Sequence, residues 1–276
     1  MNHAVAADGF PIAYQVFGRP ESPPLLMLQG LGVDSRGWAL QQFPLSRRFR
    51  CVAVDNRGVG GSAAAPHPLS LEQMADDAVA VLDDAGVADA HVMGASMGGV
   101  LAQILAVRHP DRVRSLVLSC TACRHHEWRR ELFEDWAASV RAGGMGALGG
   151  DGLRWLIGPR LHRRLGVWLN IMARILQQAP PENFVAQVQA ILAESDELRF
   201  ELVHVRAPTL VITGSQDLLT PLGDAEELAE LIPRARLLEI RGVGHALMAE
   251  APNAFNRAVT GFLREMDAVT PAGRVT

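Results

Sequence analysis

Gly94-Ala95-Ser96-Met97-Gly98 fits the pattern G-x-S-x-G, and its residue types suit a serine nucleophile. The run Ala90-His91-Val92-Met93 before it reads as a strand, and Val100–Val107 after it reads as a buried helix. A serine on so tight a strand-to-helix turn is pushed out with its hydroxyl exposed. Small residues at Gly94, Gly98 and Gly99 allow the sharp bend and close packing of helix on strand. Met97 opens the helix, so its N–H has no intrahelical partner and can meet a developing oxyanion. Taken by itself, the pattern is equally a glycine-rich turn carrying a solvated serine.

The partners decide between these. A serine hydroxyl needs a base to take its proton, and the base needs an acceptor that orients it. Among nine histidines, His91 opens a strand and His109 precedes Pro110 at a helix end. His125, His126 and His162 sit among charged neighbours and read as surface. His245 differs. It lies in Arg241-Gly242-Val243-Gly244-His245-Ala246, beyond an apolar run ending at Ile240, on the same sheet edge as Ser96. Asp217, in the loop Gly214–Pro221, follows the run Leu210-Val211-Ile212. The stretch from Asp217 to His245 holds one helix and one strand, which brings adjacent loops together. Alone, Asp217 suits an Asx-turn or a helix cap, and His245 suits a satisfied loop histidine. Ser, Asp and His in that order on carboxyl-edge loops favour a triad.

The elements that must hold these residues are legible in the pattern. Ala7-Asp8-Gly9-Phe10 is a D-G turn that predicts an opening hairpin. Leu25–Leu28, Cys51–Val54, His91–Met93, Val113–Leu118, Leu210–Ile212 and Leu237–Ile240 are short apolar runs, suited to parallel strands covered on both faces. Ser70-Leu71-Glu72-Gln73 reads as a capping box opening a helix. Thr220-Pro221 reads as an N-cap with proline at the first helical position, and Pro252 opens a last helix with Phe255, Val259 and Phe262 on one face. Strand alternating with helix means an α/β fold with a parallel sheet.

The alternation fails over 121–206. That stretch holds Trp128, Trp136, Trp155 and Trp168 and predicts helices near 127–141, 151–157, 160–178 and 182–194, with a glycine-rich break at 143–150. The division is a core of 1–120 and 207–276 with a helical cap at 121–206. So many large apolar side chains on short helices predict a lid over the sheet's carboxyl edge. The tail from Asp267 to Thr276 reads as frayed.

Composition narrows the function classes. The chain has 276 residues, 49% of them hydrophobic, with 26 basic and 30 acidic side chains and a net charge of −4. No single-sign run offers a footprint for nucleic acid or an anionic membrane. Arg47-Arg48, Arg129-Arg130 and Arg163-Arg164 read as solvated faces. Cys51, Cys120 and Cys123 are too few for a disulfide framework, and Cys120-Thr121-Ala122-Cys123 lacks the second pair that zinc would need. The start lacks a basic segment followed by an apolar one, and no stretch suits a membrane span, so a soluble cytoplasmic protein without cofactor or metal is expected.

With these residues in place, the chain resembles the α/β-hydrolase superfamily over about residues 8–265. The resemblance rests on Gly94–Gly99, on Asp55-Asn56-Arg57-Gly58-Val59-Gly60-Gly61-Ser62 as a D-x-R-G-x-G-x-S segment, and on Ala207–Gly214 and Gly244-His245. It implies an eight-stranded, mostly parallel sheet with the second strand reversed, flanked by helices and carrying an inserted cap. It implies Ser96 as nucleophile, Asp217 as acid, His245 as base, and an oxyanion hole from the N–H groups of Met97 and Leu31. The family's His-Gly pair before that second donor is Gln29-Gly30 here, a departure that leaves the backbone role intact. Gly30, Leu31, Leu219 and Leu247, beside these groups, are the expected substrate contacts. The expected reaction is hydrolysis of a carboxylic ester or lactone of a small to medium, largely apolar molecule. Carbon–carbon bond hydrolases, perhydrolases or haloperoxidases, and ligand-binding members without catalysis remain open alternatives. Neither a protein partner nor an oligomeric state is legible.

Overall fold

The computed structural model describes residues 1–66, 68–149, 151–164, 179–194 and 196–269. Its strands are β1 (Asn2–Val5), β2 (Pro11–Phe17), β3 (Pro24–Leu28), β4 (Arg50–Val54), β5 (Ala90–Ala95), β6 (Val113–Ser119), β7 (Thr209–Gly214) and β8 (Ala235–Ile240). They form one eight-stranded sheet in the order β1-β2-β4-β3-β5-β6-β7-β8. β2 runs antiparallel to both β1 and β4, and every other pairing is parallel. Each apolar run read from the sequence falls in a strand, and the D-G turn closes the β1–β2 hairpin with Gly9 at φ +84°.

Side-chain alternation along the strands divides the core in two. Leu26, Leu28, Val92, Leu116, Leu118 and Val211 point to one face, under the helices Leu71–Asp84, Met97–Arg108 and Leu222–Leu231. Leu25, Met27, Met93, Val117, Leu210 and Ile212 point to the other. There Phe255, Val259, Phe262 and Leu263 of the helix Pro252–Val269 cover them. β8 departs from the expected two-sided cover. It is an edge strand, and Leu237 and Leu238 are each 38% exposed.

Two capping readings are revised. Ser70 accepts from Gln73 N at 3.2 Å, but the Gln73 side chain reaches Asp8 instead of returning to Ser70, so half of the box forms. The helix after Asp217 begins at Leu222, one residue later than expected, and no side chain caps it. The Thr220 hydroxyl is committed to Asp217 instead.

Between β6 and β7 the chain forms the helices Glu127–Gly143, Asp151–Leu156 and Pro181–Ala193. The expected helix at 160–178 is helical at 159–164, while 165–178, with Trp168, lies outside the described residues. The last helix runs to Val269, so Asp267 is ordered where fraying was expected, and 270–276 lie outside the described residues. Among the described residues no helix is long and apolar enough to cross a membrane.

Candidate active site

Ser96 follows the strand β5 and precedes the helix Met97–Arg108 with φ 52° and ψ −121°. A non-glycine residue holds this left-handed region only under constraint. The constraint is visible. Ser96 N donates to Ser119 O at 2.9 Å, and its carbonyl accepts from Gly99 N and from Thr121 Oγ1, both at 2.8 Å. The glycines permit the contact behind the turn. A Cβ on Gly98 would fall 2.2 Å from Leu28 O, and one on Gly94 would fall 2.1 Å from Gly98 O.

Asp217 and His245 come from the loops after β7 and β8 and are both buried. His245 Nδ1 lies 2.9 Å from Asp217 Oδ2. The carboxylate does two jobs. Oδ1 accepts from the N–H groups of Leu219 and Thr220 at 2.9 Å, which is the Asx-turn read as its alternative role. Oδ2 accepts from Thr220 Oγ1 at 2.7 Å and faces the imidazole. Burial alone would raise the Asp217 pKa. The His245 charge and hydrogen bond, with the two Thr220 contacts, outweigh burial and hold it below its ordinary value. Ser96 and His245 share the wall of one cavity of about 200 Å³. None of the described hydrogen bonds joins Ser96 Oγ to His245, and such bonds commonly tighten only around substrate.

The cavity lies between the sheet's carboxyl edge and the helical insert. Gly30, Leu31 and Leu219 line it. Leu247 does not. It is fully buried in the apolar cluster with Leu210 and Phe255, and its neighbour Met248 faces the cavity, because the short helix Leu247–Glu250 turns successive side chains away from each other. From the insert come Phe133, Trp136, Leu148, Leu153, Phe184 and Ile191. Trp128 and Trp155 instead stack on each other at 6.0 Å.

The loop after β3 is held from three sides. Gly30 N donates to Gln29 Oε1 at 3.1 Å, Asn56 Nδ2 donates to Gln29 O at 2.9 Å, and Gly32 N donates to Gln187 Oε1 at 2.8 Å. None of the described hydrogen bonds uses Leu31 N–H, which leaves it flanked by two fixed neighbours. A Cβ on Gly30 would meet Ser96 Cβ at 3.1 Å, so the loop passes directly over the serine. The Asp55–Ser62 segment buttresses this arrangement, consistent with a structural turn. Asp55 accepts from Ser35 N and Gly61 N, and the carbonyls of Arg57 and Gly58 receive Gln187 and Asn183 of the helix Pro181–Ala193.

Three residues escaped the sequence reading. Arg129, expected on a solvated face, is 1% exposed. It donates to Leu219 O at 2.8 Å and to Arg124 O at 3.0 Å and pairs with Asp224, tying the insert to the loop of Asp217. His125, also expected at the surface, lines the cavity. Cys120, at φ 45°, lies with its Sγ, an Asp217 carboxylate oxygen and a His245 nitrogen all within 4.8 Å of one another. Among the described residues this is the one cluster able to hold a metal. The fit is poor, because burial and then the Asp217 charge push the Cys120 thiol far above its ordinary value, so it stays protonated. Asp217 and His245 are also already committed to each other. All three cysteines are free and buried.

A second Ser-His-Asp grouping lies elsewhere. His91 bridges Ser115 Oγ at 2.8 Å and Asp267 Oδ1 at 2.9 Å. Ser115 and His91 are buried inside the sheet, so this is a satisfied core histidine.

The comparisons with known proteins bear on the family and the fold. A family model for the alpha/beta hydrolase fold matches residues 23–252. A protein of Azorhizobium caulinodans with the provisional name carbamate hydrolase RutD is 32% identical over 256 residues, 92% of this chain and 95% of its own. The 3-oxoadipate enol-lactonase 2 of Acinetobacter baylyi is 28% identical over 264 residues, 95% of this chain and 97% of its own. Among solved structures, the enol-lactonase from Burkholderia xenovorans LB400 superimposes with a TM-score of 0.87 at 31% identity, over 95% of this chain and 99% of that one.

Proposed function

The chain belongs to the α/β-hydrolase family, and we propose that it is a serine hydrolase cleaving a carboxylic ester or lactone of a small, largely apolar molecule. The observation that carries this reading is the buried Asp217–His245 pair on the same cavity as a conformationally constrained Ser96.

In this mechanism the substrate carbonyl lies over Ser96. His245 Nε2 takes the Ser96 proton as Oγ attacks the carbonyl carbon. Asp217 keeps Nδ1 protonated and stabilises the imidazolium. The oxyanion receives the N–H groups of Met97 and Leu31, backbone donors that need little reorganisation in the reaction. The leaving oxygen takes the proton from His245, and an acyl group remains on Ser96. Water, deprotonated by His245, then releases the acid and restores the serine. The helical insert at 121–206 acts as the cap that supplies the apolar cavity roof and excludes bulk water.

Likeness to an enol-lactonase supports the lactone side of this reading, and likeness to a protein named for carbamate hydrolysis adds a second acyl substrate to test. Both have a carbonyl carbon with a heteroatom leaving group, which the same groups can serve. A panel of p-nitrophenyl esters of increasing chain length, several lactones and an aryl carbamate separates the classes, run on wild type and Ser96→Ala. Turnover of short esters or lactones that vanishes in Ser96→Ala is expected. Turnover of carbamate alone would overturn the ester and lactone assignment.

A further inference from the structure

We propose that Glu250 is a positioning residue for His245, the joint through which the helical insert fixes the place of the base beside Ser96. This inference rests on the hydrolase reading and goes beyond the triad by naming what holds its base.

Asp217 orients the His245 ring through Nδ1. Where the ring sits depends on the backbone that carries it. That backbone is the loop after β8, and glycines at 242 and 244 give it little stiffness of its own. The loop of Asp217 holds its near end. Gly242 N donates to Ser215 Oγ at 2.8 Å, and Val243 O accepts from Gln216 N at 2.9 Å. The two residues flanking His245 are held differently. Gly244 N donates to Glu250 Oε1 at 2.8 Å, and Ala246 N donates to Leu156 O at 2.7 Å.

Both of these bonds lead to the insert. Leu156 ends one of its helices and lines the cavity. Gly158, two residues on, donates its N–H to both oxygens of Glu250, at 3.0 and 3.1 Å. One carboxylate therefore takes a backbone N–H from the insert and another from the residue before His245. The two backbones meet with no room for a side chain. A Cβ on Gly244 would fall 2.6 Å from Gly158 N, and one on Gly158 would fall 2.9 Å from Glu250 Oε2. Both glycines are buried, so their N–H groups are costly to leave without the carboxylate. Insert and base loop thus form one piece, in which a shift of Gly158 carries Gly244 and His245 with it.

Steady-state kinetics on variants from both sides of the joint tests this. Glu250→Ala should lower kcat roughly 10- to 100-fold with KM within about 3-fold, the mark of a reacting group misplaced by about 1 Å. Glu250→Gln keeps an oxygen for Gly244 N and should recover most of that loss. Gly158→Ala pushes on the joint from the insert and should also lower kcat. Combined with Glu250→Ala, its effect should fall short of the product of the two, because both displace the same contact. The proton between His245 Nδ1 and Asp217 gives a readout independent of turnover. Its downfield NMR resonance should broaden in Glu250→Ala and in Gly158→Ala. A merely structural Glu250 would lower the melting temperature and leave both this resonance and kcat per native molecule unchanged, which would overturn the positioning role. Losses that multiply in the double variant would overturn the link to the insert. Should wild type turn over none of the esters or lactones, the hydrolase reading fails and the resonance decides alone. A broadened line in Glu250→Ala then keeps the positioning role, and an unchanged line overturns it.

Discussion

Ser96 stands in a backbone conformation that the surrounding hydrogen bonds impose, and the same economy governs its partners. Asp217 uses one oxygen to build its own loop and the other to hold His245. This division makes Asp217→Asn informative. The amide oxygen can keep the bonds from Leu219 N and Thr220 N, so the loop should still form. The amide NH₂ would then face Nδ1 as a donor and select the wrong imidazole tautomer. A fall in kcat of about 10⁴ is expected, with an unchanged melting curve. A loss of folding to match the loss of rate would assign Asp217 to structure instead. The residue scale also shows what sequence can carry. Ser96, Asp217 and His245 were legible because each stands in a loop of distinctive composition after an apolar run. Arg129 and His125 were misread because their neighbours in sequence are charged. The burial of Arg129 is decided by residues distant in the chain, Asp224 and Leu219, which no local pattern reports.

At the scale of elements, the helix Pro181–Ala193 is fastened to the loops beneath it. Gln187 bridges Gly32 N and Arg57 O, and Asn183 reaches Gly58 O and Ala63 O. Gly32 and Gly58, both at positive φ, leave space that Phe184, Asn183 and Gln187 approach closely. Gln187→Leu should leave two buried backbone groups unpaired and cost about 1–3 kcal/mol each at most. Because Gly32 follows the proposed oxyanion donor Leu31, kcat should fall more than KM rises. Steady-state kinetics with a chemical melt measures both, and a stability loss without any change in kcat would separate the staple from catalysis. The helices near 127–141, 151–157 and 182–194 were legible in the sequence, but their docking was not. Asn183 and Gln187 are ordinary polar residues of a helix until the loop carbonyls opposite them are known. Met248 faces the cavity in place of Leu247 for the same reason, since a short helix gives no clear apolar stripe.

On the scale of the whole molecule, the eight strands and the reversed second strand follow the resemblance, and alternation along the strands fills both faces. The edge strand β8 is less covered than its apolar sequence implied, because burial there depends on position in the sheet. The seam between insert and core carries a titratable contact. Burial, then the charge and hydrogen bond of Glu72 and the charge of Asp196, push the Glu194 pKa up to about 7. A folded-state pKa above the ordinary glutamate value of 4.5 means that the native protein holds this proton more tightly. Its stabilising contribution is full below about 4.5 and is lost as pH rises through about 7. Thermal melts from pH 4.5 to 8 should therefore show a decline that is smaller in Glu194→Gln. Identical pH slopes in both proteins would remove this contact from the stability of the seam.

The central claim is that Ser96 is the nucleophile served by His245 and Asp217. Peptide mass mapping after reaction with a fluorophosphonate measures this most directly. The account predicts a single phosphonyl adduct on Ser96 in wild type, loss of ester turnover in step with labelling, and neither adduct nor turnover in Ser96→Ala. An adduct on another residue, or ester hydrolysis that persists in Ser96→Ala, would contradict it.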